Sequence, residues 1–130
     1  MADSDRYERG LAKLKEVYAG DVVTPPRGAP FTDIMLETLF AEVWTRDVLS
    51  MRDRRLLLLG SILALGEATT FGIQSKAALK NGELTPDQLR EVLVFLVHYV
   101  GYPRGASLAG VIEQAIAEVE AEGQAAPGSA

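Results

Sequence analysis

The 130-residue chain contains no cysteine and one histidine, His98. Without sulfur there are no disulfides, no thiolate metal sites and no thiol nucleophile or peroxidatic thiol. One imidazole and scattered carboxylates offer no ligand cluster at metal-binding spacing, so no metal is expected. The glycines read as helix caps and interruptions, not as a phosphate-binding G-x-G-x-x-G after a strand, and no nucleotide, flavin or other cofactor is expected. Basic charge is also short: 13 Lys and Arg stand against 18 Asp and Glu, a net charge of -5. Nucleic acid is an unsuitable partner for a chain without a basic face. Long apolar runs are missing too. Residues 56–65 and 92–100 fall well short of the ~20 needed to cross a bilayer, and the opening MADSDRYERG lacks the apolar centre of a signal peptide. A cytoplasmic protein with no membrane association is expected.

What is present is a chain of single-domain length, 48% hydrophobic and 24% charged, able to bury a core without staples. Tyr7, Leu11, Leu14 and Val17 recur at helical spacing and predict a helix over 4–17, capped by Ser4 and stopped by Gly20. The stretch DVVTPPRGAP, residues 21–30, is too rich in proline for a helix interior and reads as a connector. Thr32 or Asp33 opens a second helix whose apolar face is Ile34, Leu36, Leu39, Phe40, Val43 and Trp44, ending near 45–47. Ser50 caps a third over 51–65, apolar almost all round after Arg55, as in a helix central to a bundle or buried between subunits. A fourth covers 67–80 and closes on Asn81-Gly82.

Thr85-Pro86-Asp87-Gln88 is a capping box with proline in the first helical position, starting a helix that runs to about Val100. Gly101-Tyr102-Pro103 breaks it. A last helix runs from 103 or 104 to 122, and 123–130 reads as a mobile tail. No segment alternates apolar and polar residues, so the expected fold is all-α, a single-domain bundle of about six helices over residues 1–122.

Two places carry candidate chemistry. His98 lies on the fifth helix beside Val94 and Glu91, where a structural role is the commoner outcome and an acid/base role the sharper one. Glu42, Trp44 and Arg46 put a carboxylate, an indole and a guanidinium within five residues. The plain reading is an exposed Glu42–Arg46 pair at i,i+4 beside a packed tryptophan, and the functional one is the lining of a pocket for a small anion.

The succession EVWTR, RRLLLLGSILALG, QSKAALKNGELTPDQLREVL and HYVGYPRGAS resembles the carboxymuconolactone decarboxylase family, which also contains the alkylhydroperoxidase D-like proteins. The resemblance covers about residues 7–119. It implies an alkylhydroperoxidase D-like helical subunit that self-associates as a homotrimer or homohexamer. In the peroxidase branch, a glutamate, a Cys-x-x-Cys pair and a histidine form a proton relay. Those positions fall here on Arg55, on Glu67 and Thr70, and on Gln74, so cysteine-dependent peroxidase activity is not expected. The decarboxylase branch carries a histidine at the Gln74 position, and glutamine does not titrate. The resemblance therefore implies acid/base chemistry, a decarboxylation or related lactone reaction, on a small acidic or lactone substrate. His98 is the expected substitute for the lost histidine, with Glu42 as its expected partner acid. Gln74, Trp44, Arg46, Thr70 and Tyr102 are the expected substrate contacts, with Lys76 an alternative carboxylate anchor. Lactone hydrolysis, isomerisation and a catalytically silent binding protein are the competing readings.

Overall fold

The structure, a computed structural model, describes residues 2–125, and side chains from 5 to 124. It is all-helical among these residues, with six helices: α1 (Ala2–Val17), α2 (Pro30–Met35, continuing as a π-helix over Leu36–Val43), α3 (Met51–Leu65), α4 (Ala68–Lys80), α5 (Pro86–Val100) and α6 (Tyr102–Ala125). Packing divides the chain into two compact units, Met1–Arg54 and Arg55–Ala130.

In the first unit α1 lies on the π-helical segment. Tyr7, Leu14 and Val17 of α1 are buried against Leu36 and Phe40. Ser4 falls inside the first turn of α1 instead of capping it, because the helix begins at Ala2. Helix α2 starts two to three residues earlier than Thr32 or Asp33. Pro30 occupies its first turn, where a missing N–H costs nothing, and the Asp33 carboxylate accepts from the Gly28 N–H at 2.9 Å.

The π-winding was not foreseen, and it rearranges the face expected for an ordinary helix. Backbone bonds reach five residues back, as from the Trp44 N–H to the Leu39 carbonyl at 2.9 Å. Residues on one face then recur at intervals of four to five. Leu36, Phe40 and Ala41 are accordingly buried, whereas Leu39 and Val43, expected inside, are exposed. Thr38 and Thr45 hydroxyls donate to the carbonyls four residues back, each at 2.6 Å, a habit that loosens regular α-winding. Gly10 lets the two backbones meet: a Cβ there would sit 1.9 Å from the Leu36 carbonyl oxygen.

The second unit is built on α3 to α6. Leu59, Ile62 and Leu63 of α3 pack with Phe71 and Ala78 of α4, Leu89 of α5, and Leu108, Ile112 and Ile116 of α6. The caps follow the sequence. Ser50 Oγ accepts from the Asp53 N–H at 3.0 Å, and Thr85 and Gln88 form the reciprocal box at 3.0 and 3.1 Å. Glu67 caps α4 by accepting from the Thr69 N–H at 3.2 Å. Gly101 alone separates α5 from α6, at a φ of 108° that disfavours any side chain.

The two helices return antiparallel, pinned by Arg90 to Glu113 at 2.9 Å and by Gly105, whose hydrogen faces Val97. Helices α4 and α6 run parallel, with Lys76 and Lys80 both meeting Glu122. Helix α6 also outruns its expected end, so residues 123–125 are helical and not tail. The rest of that tail, 126–130, lies outside the described residues. Helix α3 is only partly enclosed, since Leu57 and Leu65 are exposed. No helix among the described residues is long and apolar enough to cross a membrane.

Candidate active site

The centre of the second unit is charged. Arg55, one turn into α3, is 0% exposed. Its Nε and Nη2 donate to the two carboxylate oxygens of Glu83 at 2.8 and 3.1 Å, a two-pronged pairing suited to the planar guanidinium. Its Nη1 donates to Gln74 Oε1 on α4, itself only 3% exposed. Glu83, on the turn between α4 and α5, also accepts from Asn81 Nδ2 at 3.2 Å, and its side chain is 7% exposed. Burying a guanidinium is tolerable only with its charge matched and its donors used. The turn after Asn81 supplies that match.

Arg55 and Gln74 are the positions to which the resemblance assigns a glutamate and a histidine, and they are bonded to each other. A guanidinium offers only donors, and a glutamine amide does not titrate. With Glu83 these side chains form one hydrogen-bonded group. It braces α3, α4 and the α4–α5 turn against one another. Ser75, beside Gln74, is fully buried with its hydroxyl lacking a hydrogen-bond partner among the described residues.

His98 occupies a different setting, on the exposed side of α5. Its Nδ1 lies 2.8 Å from the Val94 carbonyl oxygen. Since a carbonyl only accepts, Nδ1 is the donor in this contact, and Nε2 is the ring nitrogen it leaves open. Tyr102, first residue of α6, meets the imidazole edge-on with ring centres 5.9 Å apart. Gln74 is in the interior and His98 at the surface, so the two do not face one enclosed cavity among the described residues. Thr70 is half-buried on α4, one turn before Gln74. Lys76 is engaged by Glu122 at 3.0 Å and Glu118 at 3.6 Å.

In the first unit, Glu42 does not pair with Arg46. The helix ends at Val43, before Arg46, and Glu42 turns to α1, with Arg6 at 3.2 Å and Arg9 at 3.8 Å. Trp44 is half-buried and stacked on Phe40, ring centres 6.4 Å apart and 6° from parallel. Arg46 is exposed, and its carbonyl accepts from Arg54 Nη2 at 2.7 Å. Among the described residues no three His, Asp or Glu side chains gather in a way that would hold a metal ion.

Residues 29–114 match the profile of the carboxymuconolactone decarboxylase family. The chain belongs to that family. The matched span includes the buried Arg55, Gln74 and Glu83 as well as His98. A 4-carboxymuconolactone decarboxylase from Acinetobacter baylyi is 28% identical over 109 residues, covering 79% of this chain and 81% of the relative. A nitrosuccinic acid decarboxylase from Metarhizium robertsii is 27% identical over 103 residues, covering 75% of this chain and 71% of the relative. Both relatives are named for loss of a carboxyl group.

Glu83 is the member of this buried group that sequence reasoning missed. It lies 28 positions from Arg55, and nothing local distinguishes it from a solvated turn carboxylate. The available signal was the reverse one, an arginine in the middle of an apolar helix that needs a partner.

Proposed function

We propose that this family member is a cofactor-free carboxy-lyase acting on a small organic acid, with His98 as its acid/base group. The observation that carries the reading is the state of the imidazole. Its Nδ1 proton is committed to the Val94 carbonyl, which leaves Nε2 as the one atom of the only histidine able to exchange a proton with a ligand. Loss of carbon dioxide breaks a C–C bond and leaves its electron pair on the remaining fragment, spread into an adjacent electron-withdrawing group. A protonated Nε2 then donates to that carbon, and the neutral ring is reprotonated from solvent. Tyr102 is the proposed positioning neighbour, bearing on the ring edge and itself exposed to a ligand.

The Arg55–Glu83–Gln74 group is the fixed replacement for the relay, supplying rigidity instead of a proton. The names of two decarboxylases among the relatives support the reaction class, and the two substrates so named support the choice of a small acid. Glu42, Trp44, Arg46, Thr70 and Gln74 stand in this proposal as secondary contacts. Self-association as a homotrimer or homohexamer belongs to it as well, supported by the exposed apolar residues Leu57, Val94, Phe95 and Tyr99. Light scattering on the purified chain tests that part.

For the chemistry, the wild type and His98→Asn are assayed for carbon dioxide release from a panel of small acids that includes 4-carboxymuconolactone and nitrosuccinic acid. General acid catalysis is worth ~100-fold or more, and a loss of that size is expected in the variant. Unchanged turnover by His98→Asn would remove the role assigned to it. A wild type that releases carbon dioxide from none of the panel would overturn the lyase reading in favour of a binding protein.

A further inference from the structure

Residues 55–125 contain five cationic side chains, and four of them face carboxylates. Arg55 meets Glu83 at 2.8 Å, Lys76 meets Glu122 at 3.0 Å, Lys80 meets Glu122 at 3.8 Å and Arg90 meets Glu113 at 2.9 Å. Arg104, in the first turn of α6, has no carboxylate within ion-pair distance among the described residues.

It is nevertheless held in place. Nη1 donates to the Ala64 carbonyl at 2.8 Å, near the end of α3. Gly66 provides the seat: a Cβ there would lie 3.1 Å from Arg104 Nη1 and 3.6 Å from its Cγ. The side chain is thus laid across the α3–α4 turn and fixed by one of its five N–H groups, leaving the others to spare. Beside it opens a groove of about 500 Å³ walled by Leu65, Gly66, Val100, Pro103, Arg104 and Ser107. Ser107 Oγ is at 3.2 Å from the Arg104 carbonyl, so this hydroxyl is anchored at the same rim.

We propose that this groove is a binding subsite for the carboxylate of a small organic acid, which Arg104 grips with its guanidinium while the rest of the acid lies on Leu65, Val100 and Pro103. A guanidinium matches a planar carboxylate through two parallel N–H bonds. The volume is in the range of small-molecule sites, ~300–1,000 Å³. Leu65, Val100 and Pro103 give part of a largely polar lining an apolar character beside the cation, a combination that suits a carboxylate on a short carbon skeleton better than inorganic phosphate, which has no apolar part. In a chain of net charge -5, a fixed cation without an internal partner is a local exception to the general repulsion of anions. The inference rests on the decarboxylase reading only in making the bound acid a substrate. The binding itself stands apart from it.

The test is a titration of the full chain with cyclopentanecarboxylate, followed by NMR at the Arg104 Nε–Hε and Ser107 amide signals. The neutral cyclopentanecarboxamide and inorganic phosphate are the comparisons. The carboxylate is expected to shift both signals saturably and the carboxamide to leave them in place. Arg104→Gln is expected to weaken binding ~10-fold or more, the usual worth of a hydrogen bond to a charged group. Arg104→Lys retains the charge without the fork and should fall between. Arg104→Lys carries the test if Arg104→Gln is misfolded.

Equal binding of the carboxamide, equal or tighter binding of phosphate, or affinity in Arg104→Gln and Arg104→Lys within about twofold of wild type would overturn the proposal. Carbon dioxide release with an unchanged KM in Arg104→Gln would overturn this subsite and leave the lyase reading intact. Arg104-dependent carboxylate binding without carbon dioxide release from any acid would do the reverse.

Discussion

Replacing Glu83 by alanine removes a carboxylate that neutralises a guanidinium that is 0% exposed. Two charge-assisted hydrogen bonds, at 2.8 and 3.1 Å, disappear together. The Gln74 carbonyl stays, but it supplies one bond and no charge. Breaking one side of a buried pair costs ~3–5 kcal/mol, because the surviving charge is stranded in low dielectric. A domain of this size is stable by ~5–15 kcal/mol, so the variant should lose a large fraction of its stability.

For a chain of 130 residues the loss corresponds to a fall in Tm of about 10–20 °C. The assay is urea and thermal unfolding by circular dichroism at two protein concentrations, which separates folding from self-association. Glu113→Ala is the control. It breaks the Arg90 pair, in which both partners are well exposed, and surface pairs of this kind contribute little. A double change of Arg55 and Glu83 to leucine should recover most of what Glu83→Ala loses, since apolar replacement removes the stranded charge with its partner. If Glu83→Ala shifts the midpoint no more than Glu113→Ala does, or if the double variant is worse than the single, the buried group does not brace the helices as described.

Gly10→Ala should be destabilising by ~1–3 kcal/mol, because the new Cβ would meet the Leu36 carbonyl oxygen at 1.9 Å. Helix propensity alone predicts a gain, so the sign of the change in urea midpoint decides between them. The Arg90 hydrogen bond holds the Glu113 carboxyl below its ordinary value of 4.5. A depressed carboxylate contributes stability above its unfolded value and loses it as pH falls through the folded one. Carbon-detected NMR titration should therefore give Glu113 a midpoint under 4.5 that rises in Arg90→Gln, whereas a midpoint indifferent to Arg90 would contradict the pairing.

The local rules of the chain were readable where a side chain acts on its own backbone. Ser50, Thr85 and Gln88 cap the helices that their spacing announced, and Met51–Leu65 and the end of α5 at Val100 lie where the sequence put them. The π-helix was not readable. Leu36, Leu39, Phe40 and Val43 satisfy an α-helical period as well as a looser one, and contact with Gly10 distinguishes them only in three dimensions. The Glu42–Arg46 pair failed because the helix ends at Val43, before Arg46 is reached.

The candidate site was half legible. Arg55 and Gln74 were singled out through the family resemblance, and they are bonded. Glu83 and Arg104 were not, since the pairing of one and the isolation of the other depend on neighbours far away in sequence. His98 was legible as an oddity of composition, but its hydrogen bond to the Val94 carbonyl and its exposure came only with the folded helix.

The central claim is that this chain removes a carboxyl group from a small acid through His98. The most direct measurement uses carboxyl-labelled substrates, 4-carboxymuconolactone and nitrosuccinic acid first, in deuterated water, recording labelled carbon dioxide and deuterium in the product. The wild type should release one equivalent of labelled carbon dioxide per turnover and place a solvent deuteron on the vacated carbon. His98→Asn, with its helical spectrum unchanged, should be slower by ~100-fold or more. Label retained in the acid with the wild type, or released equally fast by His98→Asn, would contradict the account.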